Sequence, residues 1–143
     1  MVQTLRERGR EMTDTKIQPF LMFEGKAEDA INFYVSLFPA VDVLGIVRYG
    51  PSGPGIEGSV MKASFRIGSQ TIRCTDSFVK HDFSFTPAFS LFVKRESEDE
   101  IRRLYDALVA GGTAPMPIAS YGFSRMLAWV NDRYGVSWQL NLA

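Results

Sequence analysis

The sequence predicts an α+β protein of two paired βαβββ modules, forming a curved mixed sheet around a cleft with the helices on its outer face. Three observations carry that expectation. Apolar residues change period in the order strand, helix, then up to three strands, and this order runs twice along the 143 residues. Short strings recur with it: Glu28-Asp29-Ala30-Ile31 aligns with Glu98-Asp99-Glu100-Ile101 at an offset of 70 residues, and Met61-Lys62-Ala63 with Met126-Leu127-Ala128 at 65. Hydrophobic residues make up 45% of the chain and aromatic residues 13%, enough for a shared core, whereas half the chain alone is small for one.

Residues 17–23 are apolar and closed by Glu24-Gly25, which predicts a largely buried strand. Ala27, Ala30, Ile31, Tyr34, Leu37 and Phe38 then recur at helical spacing until Pro39. A second strand is expected over residues 41–49. The Gly- and Pro-rich run 50–55 fits neither helix nor ladder. Met61, Ala63, Phe65 and Ile67 alternate with Val60, Lys62, Ser64 and Arg66, and after Gly68-Ser69 the chain returns over residues 71–76 as a hairpin. Residues 76–87 read as a linker. The second module, 87–142, repeats the first, 17–77. Phe89, Leu91 and Val93 mark its first strand. Ser97 with Glu100 has capping-box form ahead of the stripe Ile101, Leu104, Tyr105, Leu108 and Val109, and Gly111-Gly112 ends that helix. A Pro-rich connection through Pro115 and Pro117 leads to strands over 124–130 and 136–142.

Composition excludes several kinds of chemistry. Sixteen basic residues balance 16 acidic ones, so net charge gives no footprint for nucleic acid, and no such partner is expected. No stretch approaches the roughly 20 apolar residues that span a bilayer, so no membrane partner is expected either. Residues 1–16 read as a polar extension without the apolar core of a signal peptide, and the chain is expected to be cytoplasmic. One cysteine, Cys74, rules out an internal disulfide, and one histidine, His81, rules out any site needing two imidazoles from one chain. The methyl donor S-adenosylmethionine, in a Rossmann-like setting, needs a strand, a Gly-rich turn and a helix in succession. Residues 50–58 are broken by Pro51 and Pro54 and lead into a strand.

Several strings resemble the vicinal oxygen chelate superfamily of glyoxalase I, bleomycin-resistance proteins and extradiol dioxygenases, and within it the PhnB-like, 3-demethylubiquinone methyltransferase-like branch. They are Gln18-Pro19-Phe20-Leu21-Met22-Phe23-Glu24-Gly25, the Ala-Ile-x-Phe-Tyr ending at Tyr34, Ile72-Arg73-Cys74-Thr75-Asp76-Ser77, and the closing string Asp132-Arg133-Tyr134-Gly135-Val136-Ser137-Trp138-Gln139-Leu140-Asn141. The resemblance covers residues 17–142. It implies a small organic ligand and a homodimer. In metal-dependent members it implies a cation held by His, Gln or Glu on the first and last strands of both halves. Those positions correspond here to Gln18, Ala88, Arg73 and Gln139, which offer no anionic donor; guanidinium has no lone pair to give. No metal or other cofactor is therefore expected.

Side chains two apart share a strand face. On that basis Gln18, Phe20, Met22, Thr71, Arg73 and Thr75 line the cleft from the first module. Ser90, Phe92, Ser137, Gln139 and Asn141 line it from the second, while Ile17, Leu21, Phe89, Leu91, Val93, Trp138, Leu140 and Leu142 pack under the helices. The expected ligand contacts are Gln18, Phe20, Arg73, Thr75, Ser90, Phe92, Gln139 and Asn141, with Arg73 an anchor for an anionic or carbonyl-bearing group, or else paired with Asp76 or Glu57. No catalytic residue is assigned. The expectation is a metal-free small-molecule binding protein, with a glyoxalase- or dioxygenase-like enzyme on the same cavity as the alternative. Phe78, Phe83, Phe85, Tyr121 and Phe123 form either a lid or a dimer contact; His81 reads as a loop residue and Cys74 as a buried apolar one.

Overall fold

The computed structural model describes residues 14–143, so most of the N-terminal extension lies outside the described residues. The chain divides after Phe78 into two units, each holding one four-stranded mixed sheet and one helix. In the first unit β1 (Phe20–Phe23), α1 (Ala27–Leu37), β2 (Val41–Arg48), β3 (Val60–Ile67) and β4 (Gln70–Asp76) form a sheet of order β1-β4-β3-β2. In the second, β5 (Leu91–Arg95), α2 (Glu98–Val109), β6 (Thr113–Ala119), β7 (Leu127–Asn131) and β8 (Ser137–Leu142) give the order β5-β8-β7-β6. In each sheet the first and last strands run parallel and the other neighbours antiparallel. The fold is α+β with a twice-used βαβββ order.

Helix α1 begins without a side-chain cap from Lys26. The Asp76 carboxylate, 3% exposed at the end of β4, supplies the acceptor instead. Its Oδ1 accepts from the backbone N–H groups of Gly25 (2.8 Å) and Ala27 (2.9 Å), and its Oδ2 from that of Val60 (3.0 Å). The Tyr49 hydroxyl donates to the Asp76 carbonyl at 3.1 Å. Three strand ends and a helix start thus meet on one side chain. The helix ends at Leu37 because Phe38, preceding Pro39, is extended (φ −114°, ψ 137°). Ala30, Ile31 and Tyr34 pack on the sheet face of Leu21, Phe23, Ala63, Phe65, Ile72 and Cys74, with the Tyr34 and Phe65 rings stacked at 6.0 Å.

In the second unit Ser97 Oγ accepts from the Glu100 N–H at 3.3 Å, the cap that the sequence predicts. The Glu100 carboxylate pairs with Arg95 at 2.7 Å, which draws the helix start onto β5. Ile101, Leu104 and Leu108 bury against Ala128, Val130, Trp138 and Leu140. Asp132, also 3% exposed, holds the β7–β8 turn. Its Oδ1 accepts from the N–H groups of Tyr134 (2.8 Å) and Val136 (3.1 Å), and its Oδ2 from Trp138 Nε1 (2.9 Å). At Gly112 an added Cβ would lie 2.0 Å from the Asn131 carbonyl oxygen, so only glycine lets α2 turn so closely past β7.

Several expectations are corrected. Ile17 and Phe89, placed under the helices by strand phase, are 88% and 63% exposed because β1 starts at Phe20 and β5 at Leu91. The Pro-rich connection is itself strand β6, with Pro115 and Pro117 tolerated because it is an edge strand with two register shifts against β7. Strand β7 begins at Leu127, three residues later than expected.

Replacing Asp76 by alanine leaves three N–H groups without their acceptor, and is expected to lower the unfolding free energy by about 3–5 kcal/mol. Removing the exposed Asp42 carboxylate, paired with Arg66 at 2.7 Å, is expected to cost less than about 1 kcal/mol. Urea denaturation of the two variants measures the contrast.

Candidate functional site

Each sheet covers one face with its helix and leaves the other without one. On the first sheet the helix-side residues Leu21, Ala63, Phe65, Ile72 and Cys74 fix the phase. Phe20, Lys62, Ser64, Arg66, Thr71, Arg73 and Thr75 therefore point to the open face. Phe20 is paired with Arg73, and Arg73 with Ser64, so these three share one row across the sheet. Phe20 is 60% exposed, an aromatic ring left out of the core beside a cation. Neither pairing foreseen for Arg73 forms: Asp76 is consumed by backbone donors, and the guanidinium has no ion pair or hydrogen bond among the described residues. Thr75 Oγ1 donates to the Met61 carbonyl at 2.6 Å. Gln18 precedes β1, half-buried.

On the second sheet Phe92 pairs with Gln139, and Gln139 with Trp129. The polar groups here bond to one another. Gln139 Nε2 donates to Ser90 Oγ at 3.0 Å, Ser124 Oγ to Asn141 Oδ1 at 2.6 Å, and Trp129 Nε1 to Ser137 Oγ at 2.8 Å. Ser137, expected to line a cavity, is only 3% exposed, with the Trp129 indole bonded to it. Phe92 is 56% exposed. The first open face sets the unpaired Arg73 beside Phe20; the second sets the exposed Phe92 and Lys94 beside polar side chains joined by the Gln139–Ser90 and Ser124–Asn141 hydrogen bonds.

The strand register also corrects one position of the expected cation quartet. Phe20 stands opposite Arg73 and Phe92 opposite Gln139, so the counterpart of Gln18, two residues before Phe20, is Ser90 rather than Ala88. The four positions are then Gln18, Arg73, Ser90 and Gln139. They offer two amides, a hydroxyl and a guanidinium, and the Gln139 amide is already bonded to Ser90. A divalent cation would find no anionic ligand, and these residues do not fit one. No group of three or more His, Cys, Asp or Glu side chains that could hold a metal ion occurs among the described residues.

Sequence reasoning missed Lys62 as a surface-chemistry residue, although its place between Met61 and Ala63 in an alternating run already set its face. His81, read as a loop residue, stacks on Phe83 with ring centroids 4.6 Å apart. Tyr121 and Phe123 stack at 6.2 Å, and Tyr49 meets Phe78 edge to face at 6.3 Å.

These features define a glyoxalase-like protein of paired βαβββ modules. The chain belongs to the 3-demethylubiquinone-9 3-methyltransferase family, whose profile matches residues 15–141, and so to the PhnB-like branch of the vicinal oxygen chelate superfamily. It is 52% identical to a solved PhnB protein from Bacillus cereus, described as a 3-demethylubiquinone-9 3-methyltransferase, covering 90% of this chain and 100% of that one with a TM-score of 0.87. Protein YjdN of Escherichia coli strain K12 is 25% identical over 140 residues, 88% of this chain and 94% of that protein. A glyoxalase/bleomycin resistance protein from Albidiferax ferrireducens T118 shares the fold at 19% identity, with a TM-score of 0.54 over 90% of this chain and 100% of that one.

Cys74 lies directly behind Arg73, fully buried on the helix side. Burial, with the nearby Asp76 charge, pushes its thiol up from 9.0 to about 12. The folded pKa lies above the unfolded one, so its contribution to stability is complete below pH 9 and is lost as pH rises toward about 12. Urea midpoints of the wild type should therefore fall more steeply over that window than those of Cys74→Ala. A thiol reagent at neutral pH should label Cys74 only after denaturation.

Proposed function

We propose that this chain is a metal-free binding protein for a small organic molecule, held against the helix-free sheet faces through Gln18, Phe20, Arg73, Thr75, Ser90, Phe92, Gln139 and Asn141. The observation that carries this reading is the unpartnered Arg73 guanidinium in one row with the exposed Phe20 ring. An apolar platform beside an unspent fork of donors suits a ligand with a flat apolar body and an acceptor group. Ser90 and Gln139 have spent hydrogen bonds on each other and Asn141 on Ser124, so these three serve shape and orientation.

Methyl transfer, which the family description names, finds no support in the passages between strand and helix. The β1–α1 turn is Glu24-Gly25-Lys26, and the N–H groups of Gly25 and of Ala27, which opens the helix, donate to Asp76. The Gly-rich run 50–58 joins two strands, β2 and β3. Neither makes a cradle for a nucleotide-like methyl donor. No helix among the described residues is long and apolar enough to cross a membrane.

Thermal denaturation against a library of small organic molecules, with and without a chelator, tests the reading. Stabilising ligands should act equally in both conditions. A stoichiometric divalent ion in the purified protein, or stabilisation that the chelator abolishes, would overturn the metal-free assignment.

A homodimer is part of this proposal. Val43, Leu44 and Val47 on the edge strand β2 are 46%, 48% and 44% exposed, an apolar edge suited to a protein partner. Light scattering should give a mass near twice the 16.0 kDa of the chain. A monomer at micromolar concentration would remove the dimer from the proposal.

A further inference from the structure

The charges of this neutral chain are sorted by element. Helix α1 carries Glu28 and Asp29 in its first turn, and α2 carries Glu98, Asp99 and Glu100. The strands hold few carboxylates. In the first sheet they are Asp42, paired with Arg66 at 2.7 Å, and the buried Asp76. The strands of the second sheet contain none. Among the strand cations, Arg48 pairs with Glu28 and Arg95 with Glu100, both at 2.7 Å.

Two cations on the open face of the first sheet are left over, Lys62 and Arg73. Lys62 pairs with Val47 across β2–β3 and flanks the buried Ala63, which puts it on the open side. Arg73 stands opposite Ser64, two residues further along β3. Lys62 and Arg73 are thus diagonal neighbours across β3–β4, a separation of about 7–8 Å that long side chains span. Neither side chain has an ion pair or hydrogen bond among the described residues. Like charges so placed repel, and a sheet face that keeps both without a carboxylate between them is complementary to an anion.

We propose that Lys62 and Arg73 form an anion subsite on the open face of the first sheet, with Phe20 as the platform for the ligand's apolar body. The ligand class is an organic anion such as an aromatic carboxylate. Arg73 presents a bidentate fork to the carboxylate plane, and Lys62 supplies a second, movable charge on its flank. This rests on the reading of the open sheet faces as a ligand surface and narrows it to ligands bearing negative charge. Lys62 thereby becomes a specificity-determining residue.

Calorimetric titration with 2-naphthoate and its neutral counterpart 2-naphthamide tests the subsite on the wild type, Lys62→Gln and Arg73→Gln. The carboxylate should bind the wild type at least about 10-fold more tightly than the amide. Lys62→Gln should weaken naphthoate about 3- to 5-fold and leave naphthamide unchanged, and Arg73→Gln should weaken naphthoate about 10-fold and naphthamide less, with the preference falling as salt is raised. Unfolding midpoints of both variants should match the wild type, since neither side chain holds structure. Equal binding of the two probes would overturn the anion subsite and leave the binding surface standing. A preference that survives in Lys62→Gln would remove Lys62 from it. Failure of both probes to bind the wild type would overturn the surface and the subsite together.

Discussion

The first unit depends on one buried carboxylate. From the end of β4, Asp76 draws the β1–α1 turn and the start of β3 onto its two oxygens through backbone N–H groups. A charged group so deeply buried is tolerable only because each oxygen is met by donors. The consequence is geometric. With the end of β4 tied to the turn after β1, the two strands are held parallel in one register, Phe20 against Arg73 and Phe23 against Asp76. A shift of one residue would turn Arg73 into the core and Cys74 outward. The open face exists as a chemical surface because this lock sets the phase of the strands that make it.

The second unit reaches the same topology with a different lock. Asp132 closes the β7–β8 turn and takes the Trp138 indole N–H, so the largest core side chain of that unit is fixed by the residue that fixes the turn. Here the carboxylate acts within a few residues of its own position, whereas Asp76 bonds to groups between 16 and 51 residues away. Asp76 thus ties the end of its sheet's last strand to distant elements, whereas Asp132 fixes the turn that feeds the last strand of its own sheet.

Much of this was legible from the chain because it follows from periodicity. The repeat of element order, both helices, the Ser97 cap and the helix-side set Leu21, Cys74, Trp138 and Leu140 follow from spacing and local chemistry alone. Errors fell where tertiary context decides. Ile17 and Phe89 have the right alternation for the core, but the ladders begin beyond them, and alternation does not mark where pairing starts. Strand β6 was hidden by its prolines, which argue against a strand unless it is known to lie at an edge. Nothing near Asp76 in sequence marks its role, since bonds to positions 25, 27 and 60 leave no local trace. A uniform offset of 70 residues points to Ala88, whereas the strand register places Ser90 there, since the spacing between first and last strands differs between the two modules.

Net charge was the least informative number in the sequence, for a physical reason. A zero sum constrains only the distant field; at the scale of a ligand, the potential depends on which face carries which sign. Acidic residues begin both helices, where the helix dipole favours them. The strands themselves carry only Asp42 and the buried Asp76, so a strand cation finds its partner chiefly at a helix start. Where a partner is available it is taken, as with Arg48, Arg66 and Arg95. Lys62 and Arg73 take none: among the described residues no carboxylate pairs with either. A neutral chain can therefore keep unpaired cations on a sheet face, because many of its carboxylates stand at the helix starts.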